Sequence, residues 1–171
     1  MESQDFNKYC VVFDHDGTLV NTAPAFGEKI HVYPGILEVL QILSDKNIDL
    51  YIWSARPRSS MIRITKELGL YSYFRDVRGS DDTLPKPHPA GLKELTEIYP
   101  ETNVVHIGDG AGDYNGAKLL GIPFIAACWN DPTYGNKWKE LFVSENHEKM
   151  YVAKNPRDIL DFLKQLKMID E

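Results

Sequence analysis

Cysteine is scarce in this chain of 171 residues: Cys10 and Cys128 are its only two, far apart and each in an apolar run. Neither belongs to a Cys-x-x-Cys pair or to a Cys/His spacing that would hold zinc, which excludes a disulfide framework and a structural zinc site. Buried, reduced core thiols of a cytosolic protein are the expectation. Basic charge is also short. With 19 Lys+Arg against 25 Asp+Glu, the formal net charge is -6. General nucleic-acid binding, which needs basic side chains to displace counterions, is therefore disfavoured, although a local basic cleft remains compatible. No apolar run approaches the ~20 residues of a membrane span. The opening Met1-Glu2-Ser3-Gln4-Asp5 carries acid where a signal peptide carries base. A cytoplasmic protein is expected.

What the chain does have is 43% apolar and 26% charged residues, the balance of a folded globular protein, at a length that suits one α/β domain over residues 1–171. Short β-rich runs alternate with helical patterns. Tyr9–Phe13 (YCVVF) is continuously apolar, as in a strand buried on both faces. Asp49–Trp53, Phe74–Arg78, Asn103–Ile107, Pro123–Ala127 and Tyr151–Ala153 read as further strands. Between them, helical spacing covers Gly35–Lys46, Ser59–Leu68, His88–Tyr99, Gly112–Leu120 and Pro156–Lys167. Gly69 and Gly121 stand as C-terminal stops, Asn155 as an N-cap, and Pro156 in a first helical turn. Trp129 to Lys149 is the least readable stretch. This alternation predicts right-handed βαβ crossovers and a mostly parallel sheet between two helical layers, a Rossmann-like three-layer sandwich.

In such sheets ligands bind beyond the carboxyl ends of the strands. Those ends carry Asp14-His15-Asp16-Gly17-Thr18, then Ser54-Ala55-Arg56-Pro57, then Pro85-Lys86-Pro87 after a loop, and Gly108-Asp109-Gly110-Ala111-Gly112-Asp113. Four carboxylates, a hydroxyl and an ammonium thus converge on one edge. Clustered carboxylates repel unless a cation sits among them, and oxygen-only ligands suit a hard divalent ion such as Mg²⁺. A metal, a hydroxyl and an ammonium are equipment for a phosphoryl group, and a carboxylate can be its nucleophile. Asp14 and Asp16 point the same way from an extended chain, so one can attack phosphorus while the other moves protons.

These motifs, in this order, resemble the haloacid dehalogenase superfamily of phosphohydrolases from about Tyr9 to Leu166. The resemblance implies the superfamily's core fold. It makes Asp14 the nucleophile and Asp16 the general acid/base that also offers its main-chain carbonyl to Mg²⁺. Ser54 would bind a phosphoryl oxygen, Lys86 would neutralise nucleophile and phosphate, and Asp109 and Asp113 would complete the metal site, Asp113 directly or through water. The acid at position 16 favours phosphate hydrolysis over dehalogenation.

The 17 residues from Gly17 to Tyr33 are too few for a helical cap domain, and the 31 between Ser54 and Lys86 are already used by a helix and a strand. A short flap over about residues 19–33 is expected in place of a cap. The reading is a Mg²⁺-dependent phosphatase for a small phosphate ester such as a sugar or organic-acid phosphate. Alternatives are a phosphoprotein or nucleic-acid 3′-phosphate substrate, or a phospho-accepting regulatory domain without catalysis. A homo-oligomer is compatible, and a partner subunit or the flap would close the cleft. Arg56 and Arg58 follow Ser54 closely enough to clamp a carboxylate or second phosphate, or else are exposed residues at a helix start. Arg56 is carried as a substrate-binding candidate. His15 and His88 flank the motifs as packing or substrate-contacting groups. Phe26, Tyr33, Trp129 and Tyr134 form an aromatic rim or belong to core and ordinary surface.

Overall fold

The computed structural model describes residues 5–171, so most of the acidic opening segment lies outside the described residues. Six strands form one wholly parallel sheet: β1 (Cys10–Phe13), β4 (Asp49–Trp53), β5 (Asp76–Arg78), β6 (Val104–Gly108), β7 (Phe124–Ala127) and β8 (Met150–Ala153). Their order is β5-β4-β1-β6-β7-β8. The chain winds outward from β1 to β5, then returns to β6 on the other side of β1 and winds to β8. Strand order therefore reverses beside β1, where ligands gather in open α/β sheets.

Period-two side chains divide the apolar residues between two cores. Val11 and Phe13 of β1 join Leu50, Ile52, Val105 and Ile107 on one face, under α1 (Ile36–Asp45), α2 (Arg58–Glu67) and α6 (Asp158–Gln165). Cys10 and Val12 face the other way with Tyr51, Trp53, Val104 and Phe124, under α3 (Ala90–Thr96), α4 (Ala111–Leu120) and α5 (Gly135–Ser144). Both cysteines are free and buried. Among the described residues no helix is long and apolar enough to cross a membrane.

The helix stops behave as their glycines dictate. Gly69 and Gly121 take positive φ of 74° and 67°, and the next amide, Leu70 or Ile122, reaches back to Thr65 or Ala117. At the last helix the expectation is corrected. Asn155 Oδ1 does accept from the Arg157 amide at 3.1 Å, but Pro156 and Arg157 form a tight turn and α6 begins at Asp158. Asp158 accepts from the Lys154 and Asn155 amides, so its carboxylate rather than the proline sets the first turn. The unreadable stretch holds a short 3₁₀ turn (Pro132–Tyr134) and α5. That helix has no side-chain cap and opens on a glycine, which removed its start signal, although Trp138 and Phe142 pack it onto β7.

Between β1 and α1 the chain makes a small antiparallel hairpin, β2 (Val20–Asn21) with β3 (His31–Val32). Its nine-residue tip, 22–30, carries a fully exposed Phe26.

Candidate active site

The carboxyl ends of β1, β4 and β6 frame one cavity of about 740 Å³, lined by Asp14, Asp16, Ser54, Arg56, Lys86, Asp109 and Asp113 among others. All seven site residues expected from the sequence are thus brought together.

Asp14 continues β1, its amide bonded to the Ile107 carbonyl at 2.8 Å, so the β1–β6 ladder aims it at the cavity. Gly17 then turns the chain away at φ 81°. A Cβ there would collide with the Asp109 carboxylate, so no other residue fits this turn beside that acid. Gly108 plays the same part for Asp113, whose side chain occupies the space a Cβ would take.

Lys86 lies at the centre. Its Nζ donates to Asp14 Oδ1 at 2.9 Å and to Asp113 Oδ1 at 2.6 Å. The Trp53 ring lies 4.5 Å from the ammonium, a cation–π seat beneath it. Burial works against the Lys86 charge, but Asp113 and Asp14 outweigh it and hold the ammonium well above its usual range. Burial likewise pushes Asp113 up, and Lys86 with the His106 hydrogen bond more than reverses this, leaving its carboxyl below the ordinary range. Asp109 goes the other way. Burial and the nearby Asp14 and Asp113 hold its carboxyl well above the carboxylate range, the mark of crowded negative charge without enough compensation.

Asp14, Asp109 and Asp113 each offer an oxygen, all within 4.8 Å of one another. The donor set is oxygen only, because His106 spends its Nδ1 on the Val12 carbonyl and its Nε2 on Asp113, both at 2.9 Å. Three crowded carboxylates facing one ammonium fit a hard divalent cation such as Mg²⁺.

Asp16 sits apart. Arg56 Nε reaches its two oxygens at 3.0 and 3.1 Å, Nη2 reaches Oδ2 at 2.8 Å, and His15 Nδ1 reaches Oδ1 at 2.7 Å. Burial raises the Asp16 carboxyl, but His15 and Arg56 together hold it well below the usual range. Ser54 is buried, and its Oγ accepts from the Arg56 amide at 3.0 Å.

Other candidates fall elsewhere. Arg58 ties the Val77 carbonyl and Asp82 and does not line the cavity. His88 accepts from the Ala90 amide at the start of α3. Trp129 donates to the Thr18 carbonyl, and none of Phe26, Tyr33, Trp129 and Tyr134 lines the cavity. Three residues at the site escaped the sequence reading. His106 holds Asp113, Asn130 donates to Asp109 at 2.8 Å, and Thr18 Oγ1 lies 3.4 Å from Asp14 and 3.5 Å from Asp109. Of these Asn130 and Thr18 carried a signal, each just past a strand end, Thr18 within the first motif but with no role given to it, whereas His106 lies inside a strand.

A parallel sheet with an aspartate pair at its reversal point and a lysine-bridged acid cluster defines a class of α/β hydrolases. The chain belongs to the haloacid dehalogenase-like hydrolase family, whose model matches residues 25–127. It is 27% identical over 139 residues to a phosphoglycolate phosphatase of Pseudomonas savastanoi pv. phaseolicola, covering 79% of this chain and 46% of that protein. It is 26% identical over 132 residues to the phosphoglycolate phosphatase of Escherichia coli (strain K12), covering 75% and 50%. The chain spans about half the length of the curated relatives it matches. Its fold matches the crystal structure of a haloacid dehalogenase-superfamily hydrolase from Geobacter sulfurreducens. The TM-score is 0.70 at 18% identity, covering 92% of this chain and all of that one.

Proposed function

We infer that this chain hydrolyses a small phosphate monoester, a sugar or organic-acid phosphate, in a Mg²⁺-dependent reaction that passes through a phosphoryl group carried on Asp14. The observation that carries this reading is the buried Lys86, bridging Asp14 and Asp113 beside a third, uncompensated carboxylate. The names of the relatives point to the same substrate class.

Asp14 is held by Lys86 through Oδ1 and lines the cavity. Its carboxylate attacks phosphorus, and the ester oxygen leaves with a proton from Asp16, which takes that proton up from solvent as the substrate binds. Asp16 then takes a proton from water as that water attacks the phosphoryl group on Asp14, which returns the carboxylate and releases phosphate. Ser54 Oγ and the Lys86 ammonium hold the phosphoryl oxygens throughout. Asp14, Asp109, Asp113 and the Asp16 main-chain carbonyl are the residues that would hold Mg²⁺, which supplies charge compensation for the carboxylates and the transferring group. Both Asp113 oxygens already accept bonds, from Lys86, His106 and the Gly110 amide, so its larger share of the work is to fix Lys86.

The hairpin at 20–32 takes the place of a cap domain and leaves the cleft open to small solutes. The acidic net charge argues against a nucleic-acid substrate. Two buried free thiols fit a reducing compartment, so the cytoplasm is the proposed location.

Asp14→Asn tests the reading. With Mg²⁺ present, hydrolysis of p-nitrophenyl phosphate is expected to fall by about four orders of magnitude while the circular dichroism spectrum is kept. Turnover that survives the substitution would reject Asp14 as the nucleophile.

A further inference from the structure

We propose that Arg56 is an exchangeable clamp. It grips Asp16 until a substrate with a second anionic group near its phosphoester takes the guanidinium over, which selects that substrate and frees Asp16 for proton transfer. The proposal rests on the phosphatase reading above and adds to it a substrate class and the residue that chooses it.

The two groups that hold Asp16 differ in kind. His15 is completely buried, and its Nε2 lies 3.0 Å from Thr65 Oγ1. The Thr65 hydroxyl gives its own proton to the Met61 carbonyl at 2.6 Å, so the ring is anchored within α2. Arg56 comes from the loop after β4, and its side chain is 27% exposed against 39% for Asp16. One holder is fixed in the core and the other stands at the water side of the cavity, where an ion pair is held weakly enough for a solute to compete.

While both remain, neither Asp16 oxygen is open. Oδ1 takes His15 Nδ1 and Arg56 Nε, and Oδ2 takes Arg56 Nε and Nη2. A general acid or base must present an oxygen to the leaving group or to water. Removing Arg56 alone clears Oδ2 and leaves Asp16 tethered through Oδ1 to His15, which keeps it in place for the proton transfer.

Something must receive the guanidinium. Its Nε and Nη2 already lie on a carboxylate as a fork, and a substrate carboxylate or phosphate has the same shape. Among the described residues, Lys86 and Arg56 are the only cations lining the cavity. Lys86 is buried and occupied by Asp14 and Asp113, and it faces the phosphoryl position. A second anionic group on the substrate therefore finds Arg56, and the ester it marks is a phosphorylated carboxylic acid or a bisphosphate rather than a neutral alcohol phosphate.

The experiment compares kcat and KM for phosphoglycolate, ethylene glycol bisphosphate and ethyl phosphate in the wild type, Arg56→Gln and Arg56→Lys. The wild type is expected to favour the acidic esters in kcat/KM by about tenfold to a hundredfold. In Arg56→Gln that ratio collapses toward one, through a higher KM of the acidic esters and a higher kcat for ethyl phosphate, for which Asp16 no longer waits to be released, and Arg56→Lys restores part of it. Whichever acidic ester shows the larger preference identifies carboxylate or phosphate as the group received. Calorimetry on Asp14→Asn, which binds without turning over, should show the same preference and lose it when Arg56→Gln is added. A wild type that hydrolyses all three esters equally would overturn the clamp and leave the phosphatase reading standing. So would an Arg56→Gln variant that slows all three esters to the same extent, because Arg56 would then only orient Asp16. Absence of hydrolysis of every ester would overturn both.

Discussion

The two ends of the central sheet each bury acid, and they treat it in opposite ways. At the amino end Asp49, the first residue of β4, is surrounded by donors. The Asn7 amide and Nδ2 reach it at 2.8 Å, the Tyr99 hydroxyl at 2.7 Å and Arg75 at 3.1 Å. Tyr51 completes the set by bonding to Tyr99 at 2.7 Å. At the carboxyl end Asp14, Asp109 and Asp113 crowd within 4.8 Å around the single ammonium of Lys86. Asp49 has both oxygens fully bonded, whereas the carboxyl-end cluster leaves Asp109 without a cation of its own among the described residues and holds its carboxyl well above the carboxylate range. A satisfied buried charge fixes structure, whereas an unsatisfied one is carried for the sake of something that arrives later.

Removing the satisfied charge should therefore cost the most stability. Asp49→Ala strands Arg75 and Tyr99 and is expected to lower the unfolding free energy by roughly 3 kcal/mol, read from urea melts. Its folded fraction should still turn over p-nitrophenyl phosphate at a rate near wild type. A melt like that of the wild type would show that the amino-end network is not a structural lock.

At the other end the sign reverses. The raised Asp109 carboxyl means that the folded, metal-free chain keeps a proton that the unfolded chain has lost above about pH 4. Stability of the metal-free protein should therefore fall as pH rises from there toward the Asp109 value. Asp109→Asn removes that slope. At pH 8 without metal it should raise Tm by about 2–4 °C. Added Mg²⁺ should raise the wild-type Tm by mass action and the variant's by much less. A lower Tm in Asp109→Asn would mean that the cluster is already balanced by the chain itself, and the contrast between the ends would fail.

How much of this contrast was legible beforehand follows from which forces act along the chain and which act through space. Parallel strands buried on both faces leave uninterrupted apolar runs, so Cys10–Phe13 and Asp49–Trp53 stood out, and with them the residues that follow each strand. Asp14, Asp16, Ser54, Lys86 and Asp109 were therefore placed at one edge by pattern alone. Their pairing was not. Arg56 lies 40 positions from Asp16, and the bond between them depends on β1 and β4 being neighbours. His106 looked like one more residue of an apolar strand, and its bond to Asp113 needs the turn into α4. Asp49 gave no sign at all, because its partners come from Asn7, Arg75 and Tyr99, far apart in the chain.

The finest test uses the two thiols, which happen to report on opposite ends. Burial and Asp49 push the Cys10 thiol far above its usual range, and burial with Asp109 and Asp131 pushes Cys128 up to about 11. Neither should react with a thiol reagent at pH 8 while the protein is folded, since both lack exposure and thiolate character. In mild urea the ends should separate. Crowded carboxylates make the site end the first to open locally, so Cys128 is expected to be labelled before Cys10 in the metal-free protein. Mg²⁺ should slow Cys128 and leave Cys10 unchanged, because it compensates the charge at one end alone. Equal labelling rates that ignore Mg²⁺ would show the sheet opening as a single unit, with the charge at its carboxyl edge already accommodated by the fold.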